Sequence, residues 1–232
     1  MRNAIILAYL VLHAAFISAQ TVNFDQLTEG TDFLKYQKNE KEPFSGLAVK
    51  YYSPKRQKFI IEYRDGTENG KAAFFYEDGT PECTGYYSDG MEDSTWVWFY
   101  PNGVVKAKGQ FVAGAPQGYW EYYNKYGIKE RAGNVLQGKE HGKWFYWNEK
   151  GTLLTERFYI SGVKDSTETW YYPNGQPMIL RRYVNGLEEG VFCGWFENGK
   201  KQFEGNARKG VVIRYIEWDI NGKALKIQKI AD

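Results

Sequence analysis

Apolar and polar residues alternate along most of this chain, and glycines break the alternation at regular intervals. Segments such as YWEYYN (119–124) and KWFYWN (143–148) place aromatic side chains on both faces of an extended strand. A two-residue alternation punctuated by turn residues is typical of β-hairpins, and the 3.6-residue period of a helix is not seen in this region. The pattern therefore predicts an all-β fold.

The pattern recurs every 24 residues without an insertion, and positions within a repeat are counted here as offsets from its first residue. Most of the 25 glycines lie at offsets zero, nine, fifteen or twenty, and all eight tryptophans lie at offsets two, four or five. The repeats open at Gly46, Gly70, Ser94, Gly118, Gly142, Ser166 and Gly190.

Each repeat is predicted to be one hairpin. A strand covers offsets one to six, and a tight turn such as PNG (101–103) follows, with its glycine in the left-handed conformation. A second strand leads to another turn at offset twenty. The chain is thus predicted to form an elongated single-layer antiparallel meander of 24-residue β-hairpin repeats. Such a sheet has no second layer, so aromatic rings lying over the offset-fifteen glycines of neighbouring strands would cover it.

The termini of this array differ in composition. Residues 1–19 combine a positive start, an apolar run of 14 residues and a small-residue end, which predicts a secretory signal peptide cleaved near Ala19. Export to the periplasm or the extracellular space follows, and an uncleaved anchor is the alternative. Residues 20–45 are predicted to cap the array, with DFLKYQ (32–37) covering its first edge, and residues 46–232 hold seven full repeats and a partial eighth.

The repeats resemble a known family. GKEHGKWFYWNEKGTLL (138–154) and GAPQGYWEYYNKYGIKERAGNVLQG (114–138) are similar to the bacterial variant of the MORN repeat. The resemblance implies a MORN-like ribbon of hairpins, a role in contacts with proteins or membrane lipids, and no catalytic motif; many bacterial relatives are labelled antitoxins. Three kinds of departure stand out: Glu168 in a tryptophan slot, Arg157 and Arg181 at the glycine offset, and Gly194 in an aromatic slot.

Little in the sequence indicates catalysis. His141 is the only histidine after the signal peptide, and neither Cys83 nor Cys193 is near it in sequence. No histidine or cysteine cluster has metal-ligand spacing, so no catalytic residue, metal or cofactor is predicted. The net charge of +2 gives no basic field, which argues against nucleic-acid binding.

The predicted function is that of an exported, non-catalytic scaffold that binds a protein partner. The alternatives are an extracytoplasmic antitoxin or immunity protein, and a binder of cell-envelope glycan or lipid through its aromatic face. Offsets two and four lie on one side of their strand, since side chains alternate between faces. They define a candidate partner-binding stripe, which otherwise serves only to cover the sheet: Trp96, Trp98, Trp120, Tyr122, Trp144, Tyr146 and Trp170.

Overall fold

The alternating segments fold as strands, as their pattern predicts. The computed structural model describes residues 20–229, which contain 20 strands and one 3-10 turn at Phe24–Gln26. The predicted signal peptide lies outside the described residues. Within this range no helix has the length and hydropathy to span a membrane. The chain divides after Ala115 into two compact units, called here the N-terminal unit and the C-terminal unit.

In the N-terminal unit, β4 to β9 form a meander in which each strand pairs antiparallel with the next. Its strands are β1 (Thr21–Asn23), β2 (Leu27–Glu29), β3 (Lys35–Gln37), β4 (Gly46–Ser53), β5 (Arg56–Arg64), β6 (Thr67–Phe75), β7 (Pro81–Ser88), β8 (Met91–Phe99) and β9 (Val105–Val112). Seven buried residues form a hydrophobic cluster in this unit: Val22, Phe44, Ala48, Ile61, Tyr63, Ala72 and Trp96.

Residues 20–45 cap this unit in a different way from the one predicted. DFLKYQ was expected to cover the first edge, but β1 does so instead, pairing with β4 in parallel from Thr21↔Leu47 to Asn23↔Val49. The segment 35–37 pairs with β2 in a separate two-stranded sheet. The difference has a local reason: the Phe44 ring is buried, and its backbone is bonded to both Lys35 and Gly66, which ties the segment beside the first offset-twenty turn.

The C-terminal unit continues the hairpin pattern. Its strands are β10 (Ala115–Tyr123, starting at the boundary), β11 (Lys129–Leu136), β12 (Lys139–Trp147), β13 (Leu153–Ile160), β14 (Val163–Tyr171), β15 (Pro177–Val184), β16 (Leu187–Glu188), β17 (Gly190–Trp195), β18 (Lys201–Arg208), β19 (Val211–Trp218) and β20 (Ala224–Lys229). Successive strands from β10 to β20 pair antiparallel, and β16 and β17 together take the place of one strand beside β15. The predicted antiparallel meander of hairpin repeats is confirmed in each unit.

Two kinds of turn connect the strands. At offset nine, Gly79 has φ 89° and donates its N–H to the Tyr76 carbonyl at 2.9 Å, which is the predicted turn closed by a left-handed glycine. At offset twenty the turn has two residues, and both are left-handed. Gln137 and Gly138, for example, have φ 51° and 76°, the geometry of a type I′ turn that suits the twist of a hairpin.

Gln137→Asn is expected to stabilise the fold, because asparagine tolerates positive φ better than glutamine. The gain should be about 0.5–1 kcal/mol in the free energy of unfolding, measured in urea. Asn185 already occupies the equivalent position with φ 50°, so the reverse change Asn185→Gln is the matched control and should lower stability. Equal stabilities for all three chains would contradict this account of the turn.

Candidate binding face

Two of the offset-two tryptophans, Trp96 and Trp144, lie directly over glycines of the preceding strand. A Cβ atom added to Gly85 would lie 2.1 Å from the Trp96 ring, and one added to Gly133 would lie 2.4 Å from the Trp144 ring. Phe192 covers Gly205 in the same way, at 2.1 Å. The predicted role of the offset-fifteen glycines, to make room for a ring, is confirmed at these three positions.

A bulge at offset zero directs each of these rings. Ser94 and Gly142 have φ 59° and 70°, and the strand register shifts beside each of them. The indole of Trp144 donates its Nε1–H to the carbonyl of Asn134 at 2.9 Å, and Trp96 donates to Tyr86 at 3.2 Å. The two acceptors are both at offset sixteen, next to the register shift. The bulge therefore provides a carbonyl that holds the indole over its glycine.

The stripe residues divide into two groups by burial. Trp96, Trp120 and Trp144, at offset two, are only 3%, 6% and 1% exposed. The remaining members, Trp98, Tyr122, Tyr146 and Trp170, at offset four, are half-buried. The offset-two rings are thus core, and the offset-four rings form the solvent-facing layer above them.

Ring contacts join the stripe within each unit. In the N-terminal unit Trp96 and Trp98 are stacked with centroids 6.1 Å apart. In the C-terminal unit Trp120 is stacked on Tyr122 at 6.1 Å, and Tyr122 lies 6.3 Å from Trp144.

Arginines continue the stripe in the C-terminal unit. The guanidinium of Arg131 lies 4.1 Å from the ring centre of Tyr122 and 5.5 Å from that of Trp144. The guanidinium of Arg157 lies 4.5 Å from the Tyr146 ring and 5.5 Å from the Trp170 ring. We call the set Tyr122, Arg131, Tyr146, Arg157 and Trp170 the ring–arginine ladder, and Trp144 is the buried ring beneath it.

Each ladder arginine also has an acidic neighbour. Arg131 is 3.1 Å from Glu140, and Arg157 Nε is 2.6 Å from Glu168 Oε1. The Nε–H of Arg157 does not point at that oxygen, so the contact is an ion pair without a linear hydrogen bond. The Arg131 side chain is 41% exposed and that of Arg157 is 24% exposed. The ladder therefore offers flat, cationic surfaces whose charge is largely neutralised.

The departures from the repeat pattern are paired across strands. Arg157 and Glu168 face each other in the register of β13 and β14, where Gly133 and Trp144 face each other between β11 and β12. An ion pair thus takes the place of a ring on a glycine. Gly194 stands where other repeats have an aromatic residue, and the Phe203 ring of the paired strand fills the space. A Cβ atom added to Gly194 would lie 2.3 Å from that ring.

Glu168 is the most buried charged side chain of this face, with 3% exposure. Lys164 Nζ donates to both of its oxygens at 3.1 and 3.2 Å, and the Tyr183 hydroxyl donates at 2.9 Å. Burial by itself raises the pKa of the Glu168 carboxyl, but the donors Lys164 and Tyr183 and the charge of Arg157 outweigh it and leave the pKa lowered. Glu168 is therefore an anion held by its partners.

This carboxylate makes stability depend on pH. A pKa that is lower in the folded state contributes stability above the unfolded value of about 4.3, and that stability is lost as pH falls through the folded pKa. Urea unfolding of the native chain should therefore lose more free energy between pH 5 and pH 3 than unfolding of Glu168→Gln. Parallel pH profiles for the two chains would contradict the assignment.

Sequence reasoning identified the aromatic members of this face but not Arg131, and it noted Arg157 only as a departure. The signal available in the sequence was that Arg157 and Glu168 both depart from the repeat pattern, at offsets that face each other across the strands.

The opposite face of the same strands carries its own cluster, in which Lys129 lies 5.4 Å from the Trp147 ring and 2.6 Å from Glu121. In residues 20–229 no group of three histidine, cysteine or acidic side chains is placed to hold a metal.

Two segments of the repeat region are similar to a known protein family. The family model described as MORN repeat variant matches residues 92–113 and 164–185, which cover the hairpins β8–β9 and β14–β15. A search of curated proteins finds no match. Among solved structures, a chain of "Crystal Structure of TcdB2-TccC3" is 12% identical with a TM-score of 0.22, a similarity too low to assign a shared arrangement. The match covers 88% of this chain, which spans only 16% of that one. Two of the repeats therefore match the MORN variant, as the resemblance predicted.

Proposed function

We propose that this chain is an exported, non-catalytic repeat scaffold that binds a protein partner through the ring–arginine ladder. The observation that carries the proposal is the half-exposed stack of Tyr122, Arg131, Tyr146 and Arg157 above a layer of buried rings. Tyrosine, tryptophan and arginine dominate the binding energy of protein interfaces, where rigid flat groups lose little entropy on docking. The proposal that the chain is exported rests on the sequence of residues 1–19, which has the pattern of a signal peptide.

A glycan is a poorer fit to this face. Sugar rings stack on open aromatic faces, whereas the Tyr122 and Tyr146 rings are already covered by guanidinium groups at 4.1 and 4.5 Å. Trp120 and Trp144, which would be the widest platforms, are buried. The face therefore supports carbohydrate binding less well than protein binding.

An anionic lipid surface is also a poorer fit. Such a surface attracts clusters of unneutralised Lys and Arg. Here Arg131 is paired with Glu140, Arg157 with Glu168, and Arg181 with Glu188. A row of neutralised arginines stacked on rings suits the mixed polar and apolar surface of a protein.

A non-catalytic role is supported by what the titratable groups of this face do. Glu168 is held ionised because Lys164, Tyr183 and Arg157 lower the pKa of its carboxyl. Burial raises the pKa of the Tyr146 phenol, so that group stays protonated at neutral pH. These groups hold the face together, and their pKa values do not suit general acid–base work.

Site-specific photocrosslinking tests the proposal. A benzophenone amino acid is introduced at Tyr122, at Tyr146, or at Tyr119, which is 46% exposed on the opposite face of β10 and serves as the control. In the producing cells, positions 122 and 146 should capture the same protein and position 119 should not. Capture from position 119 alone, or adducts that contain glycan and no protein, would contradict the proposal.

A further inference from the structure

The three rings of the ladder lie in one row that crosses the strands of the C-terminal unit. The strand register pairs neighbours along this row in the order Tyr122, Arg131, Tyr146, Thr155 and Trp170. The rings therefore stand on β10, β12 and β14, with one strand between each ring and the next. Neighbouring strands lie about 4.7–4.9 Å apart, so a ring recurs along the row about every 9.4–9.8 Å.

Hydrogen-bond donors alternate with these rings. The guanidinium of Arg131 lies 4.1 Å from the Tyr122 ring centre, and that of Arg157 lies 4.5 Å from the Tyr146 ring centre. The five N–H donors of a guanidinium lie in its plane, so stacking on a ring leaves them directed around the edge of the stack. Arg131 donates to Glu140 at 3.1 Å, and its side chain is 41% exposed. The row thus offers apolar rings separated by N–H groups.

The repeat distance of the row fits one regular backbone conformation. A polyproline II helix has 3 residues per turn and rises about 3.1 Å per residue, so every third residue returns to the same side after about 9.3 Å. This differs from the ring repeat by no more than about 0.5 Å. A β-strand returns to the same side about every 6.4–6.8 Å. Two turns of an α-helix take about 10.8 Å. Only the polyproline II helix stays in phase with the rings.

The charges of the row fit the same ligand. Proline has a carbonyl acceptor and no N–H, and the carbonyls of a polyproline II helix make no internal hydrogen bonds. Such a segment brings acceptors alone to a surface of donors. Glu140 and Glu168 largely neutralise the two arginines, so the row does not require an anionic ligand. The partial negative charge of backbone carbonyls complements it.

We propose that the ladder binds a proline-rich segment of its protein partner, held as a polyproline II helix that runs across the strands. Every third residue of the segment would contact one of the rings Tyr122, Tyr146 and Trp170, and carbonyls between them would accept hydrogen bonds from Arg131 and Arg157. A proline-rich ligand is already ordered before it binds, which lowers the entropy lost on docking. This inference rests on the proposed function, because it names the part of the protein partner that the ladder recognises.

The test measures fluorescence anisotropy of a labelled ten-residue polyproline peptide titrated with the full chain. Binding should be at least about tenfold tighter than that of a ten-residue Gly-Ser peptide, which is flexible and lacks the proline rings. Salt should change the affinity little, since the peptide brings no side-chain charge to the ladder.

Variants of the chain locate the binding site. Tyr146→Leu keeps apolar bulk but removes the middle ring, and it should weaken binding by about tenfold or more. Tyr119→Leu, on the opposite face of β10, is the matched control and should leave binding unchanged. Melting curves establish that each variant is folded. Arg131→Lys removes a planar donor group at a more exposed position, should also weaken binding, and provides the test if Tyr146→Leu does not fold.

Three results would overturn this inference: equal binding of the Gly-Ser peptide, equal loss of binding in Tyr146→Leu and Tyr119→Leu, or tighter binding of a ten-residue peptide of alternating Thr and Val, which favours a β-strand. Photocrosslinking from position 122 in the presence of excess polyproline peptide separates this inference from the proposed function. Loss of the captured protein supports both. Capture that persists at saturating peptide contradicts the proline-rich segment alone and leaves the ladder as a protein-binding face. Peptide binding with no protein captured contradicts the proposed function instead.

Discussion

Replacing Trp144 with alanine should lower the free energy of unfolding by about 3–5 kcal/mol, the cost of emptying a packed site. The ring is 1% exposed, covers Gly133, and carries the hydrogen bond to the Asn134 carbonyl, so the change removes both the packing and this hydrogen bond. Tyr126→Ala, at a turn residue that is 75% exposed, is the control and should change stability by less than about 0.5 kcal/mol.

The glycine beneath the ring is tested by the same measurement. Gly133→Ala should cost about 1–3 kcal/mol, because its Cβ would overlap the Trp144 ring. In the Trp144→Ala background the ring is gone, and Gly133→Ala should be neutral or stabilising. If Gly133→Ala costs the same in both backgrounds, ring and glycine are not packed as described.

The second large effect concerns the ion pair that stands where other repeats have a ring on a glycine. Arg157→Gly leaves buried Glu168 with one cation fewer, and Glu168→Trp places an indole against Arg157. Each single change should lower the free energy of unfolding by about 3 kcal/mol, the lower end of the cost of breaking a buried charge pair. The strength of this pair follows from its 2.6 Å separation and the 4% exposure of the Glu168 side chain.

The double variant Arg157→Gly/Glu168→Trp should recover most of that loss. It recreates the arrangement of Gly85 and Trp96, and the bulge that directs the ring is already present, since Ser166 and Ser94 both have φ 59°. Urea unfolding of the four chains gives the coupling between the two sites directly. If the double variant loses the sum of the two single losses, a tryptophan over a glycine cannot replace the ion pair at this site.

The sequence alone was sufficient for the fold of the repeats. The 24-residue period, the turn chemistry at offset nine and the room left by offset-fifteen glycines all follow from local rules, and the structure confirms them. Burial along the stripe could not be predicted in the same way. Offsets two and four are equivalent in a regular strand, and only the bulge at Ser94 or Gly142 turns one ring onto its glycine and leaves the other outside.

The arginines of the ladder could not be predicted because the rings they contact lie nine to thirteen positions away in sequence and are brought close by strand pairing. Arg131 reaches both Tyr122 and Trp144, which belong to different strands, and nothing in the immediate neighbourhood of Arg131 indicates this. The cap was mispredicted for a related reason. A three-residue strand such as Thr21–Asn23 carries no periodic signal, and its parallel pairing with β4 depends on the contacts of Val22 with the hydrophobic cluster.

We propose that the offset-two rings hold the fold whereas the ring–arginine ladder binds a partner. The most direct test is Arg131→Lys, with melting temperature and crosslinking from position 146 measured on the same preparation. Lysine keeps the charge and the stem but loses the planar group that stacks on Tyr122. The account predicts that capture falls about tenfold while melting shifts by no more than about 2–4 °C, since a partly exposed change costs little stability. Unchanged capture with a lowered melting temperature would show that the ladder is packing alone.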